Sequence, residues 1–347
     1  MRDAVDRRTV LAAGLGALAS LAGRSGSAGA ARIRTVTGEV APEALGTVLM
    51  HEHVLVDFIG ADRVSRDRYD SDEAFRVVLP HLKAVRELGC RTLVECTPAY
   101  LGRDPKLLRR LSEASGLHLL TNTGYYGAAG GKYLPAHART ESAEQLAARW
   151  IDEARHGIDG TGIRPAFLKI GVDGAPLPEV NRKLVRAAAL THRATGLRIH
   201  QHTGSGAAAL EALDLLRKEG VAAEAFVWVH AQGEPDAALH REAARRGAWV
   251  ELDGIAPDSV VRHVELVMSL KEAGLLHRAL VSHDAGWYQV GEPNGGTFRP
   301  FDTLFTRFIP ALRQAGGTEE DVQRLMVRNP REVLTPSFKG WGMKDEG

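Results

Sequence analysis

The sequence predicts an α/β fold built as a single (β/α)8 (TIM) barrel. From Gly46 onward, eight short apolar runs alternate with amphipathic segments. Such runs are typical of parallel strands covered on both faces, and successive βα units favour a closed barrel. An open doubly wound sheet is the alternative. The glycine-rich phosphate turn of that architecture is missing, because His51-Glu52-His53 stands in its place.

The predicted elements follow one another in a regular order. The strands span residues 48–53, 92–96, 118–122, 166–171, 198–202, 226–230, 249–252 and 279–282. Helical spacing between and after them predicts helices over 73–88, 105–114, 141–155, 178–194, 206–218, 235–246 and 260–273. Several of these segments are followed within two residues by glycine, which suits a helix C-terminal cap.

Composition excludes several classes of protein. Lys and Arg number 44 and Asp and Glu 43, so the net charge of +1 provides no basic field for nucleic acid or an anionic membrane. Two cysteines, Cys90 and Cys96, are too few for a disulfide framework or a thiolate zinc site. Because they flank one short strand, we expect two free buried thiols.

The first thirty residues have the pattern of a twin-arginine export signal. Arg7-Arg8 precede an apolar run over 9–23, and small residues at 28–30 suit cleavage before Ala31. The apolar run is too short to anchor the chain in a membrane. We therefore expect a signal at 1–30, a barrel domain at 31–347, contact with the export machinery, and a periplasmic or extracellular location.

Polar side chains stand at the carboxyl ends of five predicted strands, the face where barrels place active sites. They are His51, His53, Lys169, His200, His202, His230, His283 and Asp284. Imidazoles with one carboxylate suit zinc first, and also cobalt, manganese or iron. One His pair with Asp284 could hold one divalent ion, and His202 with His230 a second. A buried, neutral Lys169 can react with CO2, and the resulting carbamate could bridge the two ions.

These strand ends resemble the phosphotriesterase family of the amidohydrolase superfamily. The resemblance lies in the segments 47–53 (TVLMHEH), 165–171 (PAFLKIG), 197–203 (LRIHQHT), 227–230 (VWVH) and 281–284 (VSHD), and in Asn329-Pro330. It implies that His51, His53 and Asp284 hold a more buried metal and that His202 and His230 hold a more exposed one. It also implies that the Lys169 carbamate bridges the two metals.

Two further histidines are predicted to have structural roles and not to bind metal. The resemblance places His200 one layer below the metals, hydrogen-bonded there. His283 has the opposite strand parity to Asp284, so we expect it to face the helices.

The resemblance implies hydrolysis of lactones, carboxylic esters or phosphotriesters. A hydroxide shared by two metals would attack, and Asp284 would accept its proton and deliver it to the leaving group. Five aromatic residues after strand ends are candidates for the substrate pocket. They are Tyr100, Tyr125, Tyr126, Trp287 and Tyr288. The polar, glycine-punctuated segment over 286–296 suggests a mobile cap over a polar or sugar-derived small-molecule substrate.

Two departures weaken the triesterase interpretation. The best-known triesterases have an acidic stretch after the fourth histidine, where this chain has residues 231–234 (AQGE), and a histidine after the seventh-strand aspartate, where it has Asp253-Gly254. A proton relay there would be absent, or rebuilt from Asp253 or Glu234. The sequence therefore predicts a lactonase or esterase, in a family that is often dimeric. Alternatives are an aryldialkylphosphatase-type phosphotriesterase, a mononuclear deacetylase that does not need Lys169, and an exported metal- or ligand-binding barrel without turnover.

Overall fold

The computed structural model describes residues 31–336, so the predicted export signal lies outside the described residues. The strands are β1 (Ile33–Thr35), β2 (Gly38–Val40), β3 (Thr47–Val56), β4 (Cys90–Glu95), β5 (His118–Leu120), β6 (Asn122–Thr123), β7 (Phe167–Gly171), β8 (Ile199–His202), β9 (Phe226–Val229), β10 (Trp249–Leu252), β11 (Ala279–Val281) and β12 (Ala285–Gln289). The helices are α1 (Ser71–Glu87), α2 (Pro105–Ser115), α3 (Ala136–Thr140), α4 (Ala143–His156), α5 (Glu179–Thr195), α6 (Gly206–Lys218), α7 (Ala237–Arg245), α8 (Val260–Glu272), α9 (Ile309–Gln314), α10 (Glu319–Gln323) and α11 (Asn329–Leu334).

The parallel strands follow one another in a cyclic order. One sheet runs β12-β3-β4-β5 and the other runs β6-β7-β8-β9-β10-β11. Consecutive pieces of chain join the two sheets, since β5 leads into β6 and β11 leads into β12. All these pairings are parallel. The predicted α/β fold with parallel strands is confirmed, and the order of the strands is that of a (β/α)8 barrel.

Local capping chemistry explains why the predicted helices begin and end where they do. Before α2, the carboxylate of Asp104 accepts hydrogen bonds from the N–H groups of Lys106 and Leu107, and Pro105 takes the first helical position. The helix ends at Gly116, whose φ of 72° is in the left-handed region that favours glycine. α6 has the predicted bounds, with Ser205 as its N-cap.

The segment expected to be a mobile cap is partly a strand. β12 (Ala285–Gln289) pairs in parallel with β3, next to the predicted metal residues. Gly286 permits this pairing, because a Cβ at that position would lie 1.8 Å from the carbonyl oxygen of His53, and its φ is 97°. Gly286 therefore marks a close approach of two strands, and the other glycines of the segment follow the end of β12.

Large side chains fill both the barrel interior and the layer between strands and helices. Phe167 and Trp249 are fully buried in the interior, and Phe226 and Trp228 are fully buried in the outer layer. Cys90 and Cys96 are both buried and free, as the sequence predicts. Within the described residues, no helix is long and apolar enough to cross a membrane.

Candidate metal centre

All six predicted ligand residues line one cavity of about 220 Å³ at the carboxyl ends of the strands. They are His51, His53, Lys169, His202, His230 and Asp284. They come together because the carboxyl ends of parallel strands meet at one face of a barrel. β3 carries two of them, β7 and β8 one each, and the turns after β9 and β11 the last two.

His51, His53 and Asp284 form one compact set of donor atoms. Asp284 Oδ1 lies 3.0 Å from His53 Nε2 and 3.8 Å from His51 Nε2. Ligand atoms around one tetrahedral zinc ion are separated by about 3.3 Å, so the spacing suits a single ion. The other ring nitrogen of His53 lies 2.7 Å from Thr97 Oγ1, which fixes the ring orientation.

A second set of donors consists of His51, His230 and Asp253. Asp253 is fully buried, with Oδ1 2.6 Å from His230 Nδ1 and Oδ2 3.1 Å from His51 Nδ1. Because the carboxylate takes the Nδ1 side of both rings, the Nε2 atoms are left as the natural metal ligands. The sequence suggested Asp253 only as a member of a proton relay, whereas here it orients two histidines.

Lys169 and His202 complete the wall of the cavity. The Lys169 side chain is 2% exposed, and its Nζ lies 3.3 Å from His51 Nε2. The His202 ring packs 4.3 Å from the His230 ring, and its Nε2 lies 2.8 Å from the Tyr126 hydroxyl. His202 is therefore near the second donor set, with a tyrosine hydroxyl at its coordinating edge.

The protonation states in the cavity suit metal binding. Burial, with the nearby Lys169 charge, lowers the pKa of His51 to about 3. Burial, reinforced by His230, also places the pKa of His202 well below its usual value. Burial opposes ionisation of Asp284, but the hydrogen bond and charge of His53 outweigh it and lower its pKa. Neutral imidazoles and an ionised carboxylate are the forms that bind a divalent cation.

The backbone around the cavity is locally strained. His230, Asp284 and Trp287 have φ values of 63°, 53° and 75°, in the left-handed region that residues other than glycine rarely adopt. Such residues cluster at functional sites, where the surrounding structure holds them in place. Here the Arg299 guanidinium donates to the carbonyl oxygens of His283 and Asp284.

A buried carboxylate between the two β3 histidines holds the Asp284 segment. Glu52 Oε1 accepts hydrogen bonds from Ser282 Oγ, His283 N and His283 Nδ1 at 2.7, 3.1 and 2.6 Å. Its Oε2 accepts another from Ala285 N at 2.9 Å. His283 Nε2 in turn accepts from Leu304 N. His283 therefore lies away from the cavity, as its parity predicts.

We expect Glu52→Gln to lower the free energy of unfolding by about 3 kcal/mol, because an amide NH2 would replace an oxygen that faces only donors. Urea denaturation of the metal-free protein measures this. Glu113→Gln, at an exposed position of α2, is the matched control and should change stability by less than about 0.5 kcal/mol. Equal stabilities of the two variants would contradict the role given to Glu52.

His200, below the cavity, lacks the hydrogen bond expected of it among the described residues. His200 lies below the cavity against Phe167, but within residues 31–336 neither of its ring nitrogens has a hydrogen-bond partner. Its Nδ1 is 4.0 Å from Glu251 Oε2, whose carboxylate is also fully buried and without a hydrogen-bond partner there. Burial, with the charge of Asp253, raises the pKa of Glu251 well above its usual value. Glu251 has the same strand parity as Asp253, so its side chain points inward, although it belongs to none of the sequence motifs described above.

Only two of the five aromatic candidates line the cavity, Tyr126 and Trp287. Tyr100 and Tyr125 line a neighbouring cavity of about 260 Å³. Tyr288 is 4% exposed and donates a hydrogen bond to Glu73 of α1. Trp287 and Tyr288 are neighbours in β12, so their side chains point to opposite faces, whereas Tyr100, Tyr125 and Tyr126 lie outside the strands, where no period assigns side-chain directions.

Both candidates for a rebuilt relay have other partners. Glu234 accepts hydrogen bonds from the N–H groups of Gly206 and Asp236, at the starts of α6 and α7. Asp253 is occupied by His51 and His230.

Comparisons with known proteins relate this chain to one family. The model of the phosphotriesterase family matches residues 31–334. The phosphotriesterase homology protein of Escherichia coli is 30% identical over 83% of this chain and 98% of its own, and the aryldialkylphosphatase of Saccharolobus solfataricus is 26% identical over 84% and 95%. A substituted form of a phosphotriesterase-like lactonase from Deinococcus radiodurans superimposes with a TM-score of 0.78, at 29% identity over 87% of this chain and 99% of its own. The chain therefore belongs to the phosphotriesterase family.

Proposed function

We propose that this hydrolase of the phosphotriesterase family binds two divalent metal ions, zinc first among them, and cleaves a lactone or carboxylic ester. The observation that carries the proposal is that all six candidate ligand residues line one cavity, with His51, His53 and Asp284 spaced for one ion beside His202 and His230. His51, His53 and Asp284 would hold one ion, and His202 and His230 the other. Lys169, as its carbamate, would bridge them.

Each side chain then has a definite task. The ions, when bound, supply Lewis-acid activation of water and polarisation of the substrate carbonyl. Asp284 Oδ accepts the proton of the attacking water and returns it to the leaving oxygen. Asp253 keeps the Nδ1 edges of His51 and His230 turned away from the cavity. Tyr126 and Trp287 orient the substrate.

The cavity lining indicates the substrate class. Its other members are mainly apolar or aromatic: Val56, Phe58, Cys96, Pro98, Leu101, Ala129 and Tyr133. Apart from Lys169 and Asp284, the described residues of the lining include no Lys, Arg, Asp or Glu to recognise a charged or polyhydroxy group. This favours a neutral ester or lactone with a compact apolar substituent over the sugar-derived substrate suggested by the loop composition.

Phosphotriester hydrolysis is the second candidate. The aryldialkylphosphatase relative and the aromatic walls formed by Phe58 and Trp287, whose rings lie 5.4 Å apart, favour it. Against it, the carboxylates of Glu234 and Asp253 are engaged with other residues, so neither replaces the proton relay of the best-known triesterases. A mononuclear deacetylase and a binding barrel without turnover are the remaining alternatives.

We also propose that residues 1–30 direct export and that the mature chain begins at Ala31. The twin arginines and the start of the family match at residue 31 support this. N-terminal sequencing of the protein recovered outside the cytoplasm tests the cleavage site. A mature protein that retains Met1 would contradict it.

We expect residues 31–347, loaded with zinc, to hydrolyse an alkyl-substituted γ-lactone or phenyl acetate at least about tenfold faster, in kcat/KM, than gluconolactone or paraoxon, since each 1.4 kcal/mol of differential binding gives tenfold. Product release measured with and without chelator checks this. N-acetylated amines in the same panel detect deacetylation. Fastest turnover of paraoxon would favour the second candidate, and no turnover of any substrate would favour the binding barrel.

A further inference from the structure

Gln232 holds Asp253 through both ends of its side-chain amide. Gln232 Nε2 donates to Asp253 Oδ1 at 2.8 Å, and the backbone N–H of Asp253 donates to Gln232 Oε1 at 3.1 Å. The backbone N–H of His230 donates to Asp253 Oδ2 at 3.0 Å. Two-point contact of this kind fixes the orientation of both groups, so the directions of the Asp253 oxygens depend on Gln232.

The space for this amide is provided by Gly254. A Cβ at position 254 would lie 2.6 Å from Gln232 Nε2 and 3.2 Å from its Cδ. The φ of Gly254 is outside the left-handed region, so the backbone itself would accept alanine. The obstacle to a side chain at this position is therefore the Gln232 amide.

Asp253 connects Gln232 to His51 and His230, the histidines of the second donor set. Its Oδ1 forms a 2.6 Å hydrogen bond with His230 Nδ1, and its Oδ2 lies in close contact with His51 Nδ1, 3.1 Å away. Carboxylate partners of this kind set the orientation and basicity of metal-binding imidazoles. We propose that Gln232 and Gly254 form a positioning pair that, through Asp253, holds His51 and His230 ready for metal. This inference rests on the proposed function only in taking those two histidines as ligands.

Zinc affinity tests the pair without relying on turnover. We expect Gln232→Ala and Gly254→Ala each to weaken zinc binding by about 10- to 100-fold, as measured by competition with a chelator on residues 31–347. In the double variant the added Cβ meets no amide. Its affinity should therefore equal that of Gln232→Ala alone, a non-additivity that two independent structural defects would not produce.

The control is Gly174→Ala, where the φ is also outside the left-handed region and a Cβ meets no atom within 4 Å. It should keep the parent affinity. Thermal unfolding of the metal-free variants distinguishes a role in positioning the metal ligands from a role in stabilising the fold. If Gly254→Ala destabilises the metal-free fold equally with and without Gln232, or if the affinity losses add, the pair is refuted. If the parent binds two ions and both single variants keep its affinity, the positioning role of Gln232 and Gly254 is wrong. The proposed function would then still hold. A parent that binds no zinc overturns both.

Discussion

Lys169→Ala is expected to lower bound metal from about two ions per chain to one or fewer, and to lower turnover by at least about 100-fold. Lys169 is 2% exposed, and its Nζ lies 3.3 Å from His51 Nε2, the atom turned toward Asp284. An ammonium there would repel two cations, whereas a carbamate supplies two oxygens that share one negative charge. Metal analysis of protein reloaded with zinc measures the stoichiometry.

The response of metal reloading to carbon dioxide distinguishes a carbamate at Lys169 from a lysine with only a structural role. Reloading of the metal-free parent should be faster with bicarbonate, and reloading of Lys169→Ala should not respond. Lys132→Ala, which removes an exposed lysine outside the cavity, is the control and should retain both ions. One ion in both the parent and Lys169→Ala would instead favour mononuclear chemistry on the same fold.

The fold could be predicted because its information is local. Strands such as β11 (Ala279–Val281) are apolar runs bounded by polar residues, and helices such as α2 have capping residues in their own sequence. The candidate ligands could be predicted because residues at the carboxyl ends of parallel strands must meet. No long-range contact had to be known in advance.

The remaining features depend on contacts between distant segments. An aspartate at the end of β10 has the same sequence pattern whether it binds metal, relays a proton or orients histidines. Only its distances to His51 and His230 decide. Similarly, β12 exists because Gly286 can approach the His53 carbonyl, which its glycine-rich, polar sequence does not reveal. Composition does not identify Glu251, since only the structure shows that its carboxylate is buried without a hydrogen-bond partner among the described residues.

Asp284→Asn is expected to lower turnover by about 100- to 10,000-fold, the usual contribution of a general acid–base group. Asparagine keeps the shape of the side chain and leaves intact the backbone contacts of residue 284, where the N–H donates to the His51 carbonyl and the carbonyl accepts from Arg299. It loses the ionised oxygen 3.0 Å from His53 Nε2. Proton acceptance should therefore fail while the cavity stays formed.

The decisive measurement compares metal content and kcat in the same Asp284→Asn preparation, at saturating zinc. Retained metal with a collapsed kcat places the proton transfer on Asp284, since an amide cannot take up a proton near neutral pH. Asp62→Asn, at an exposed position outside the cavity, should match the parent in both quantities. If kcat instead falls only in proportion to lost metal, Asp284 acts as a ligand alone. Another group must then carry the proton, and the buried Glu251 is not the first choice, since it is not among the residues that line the cavity.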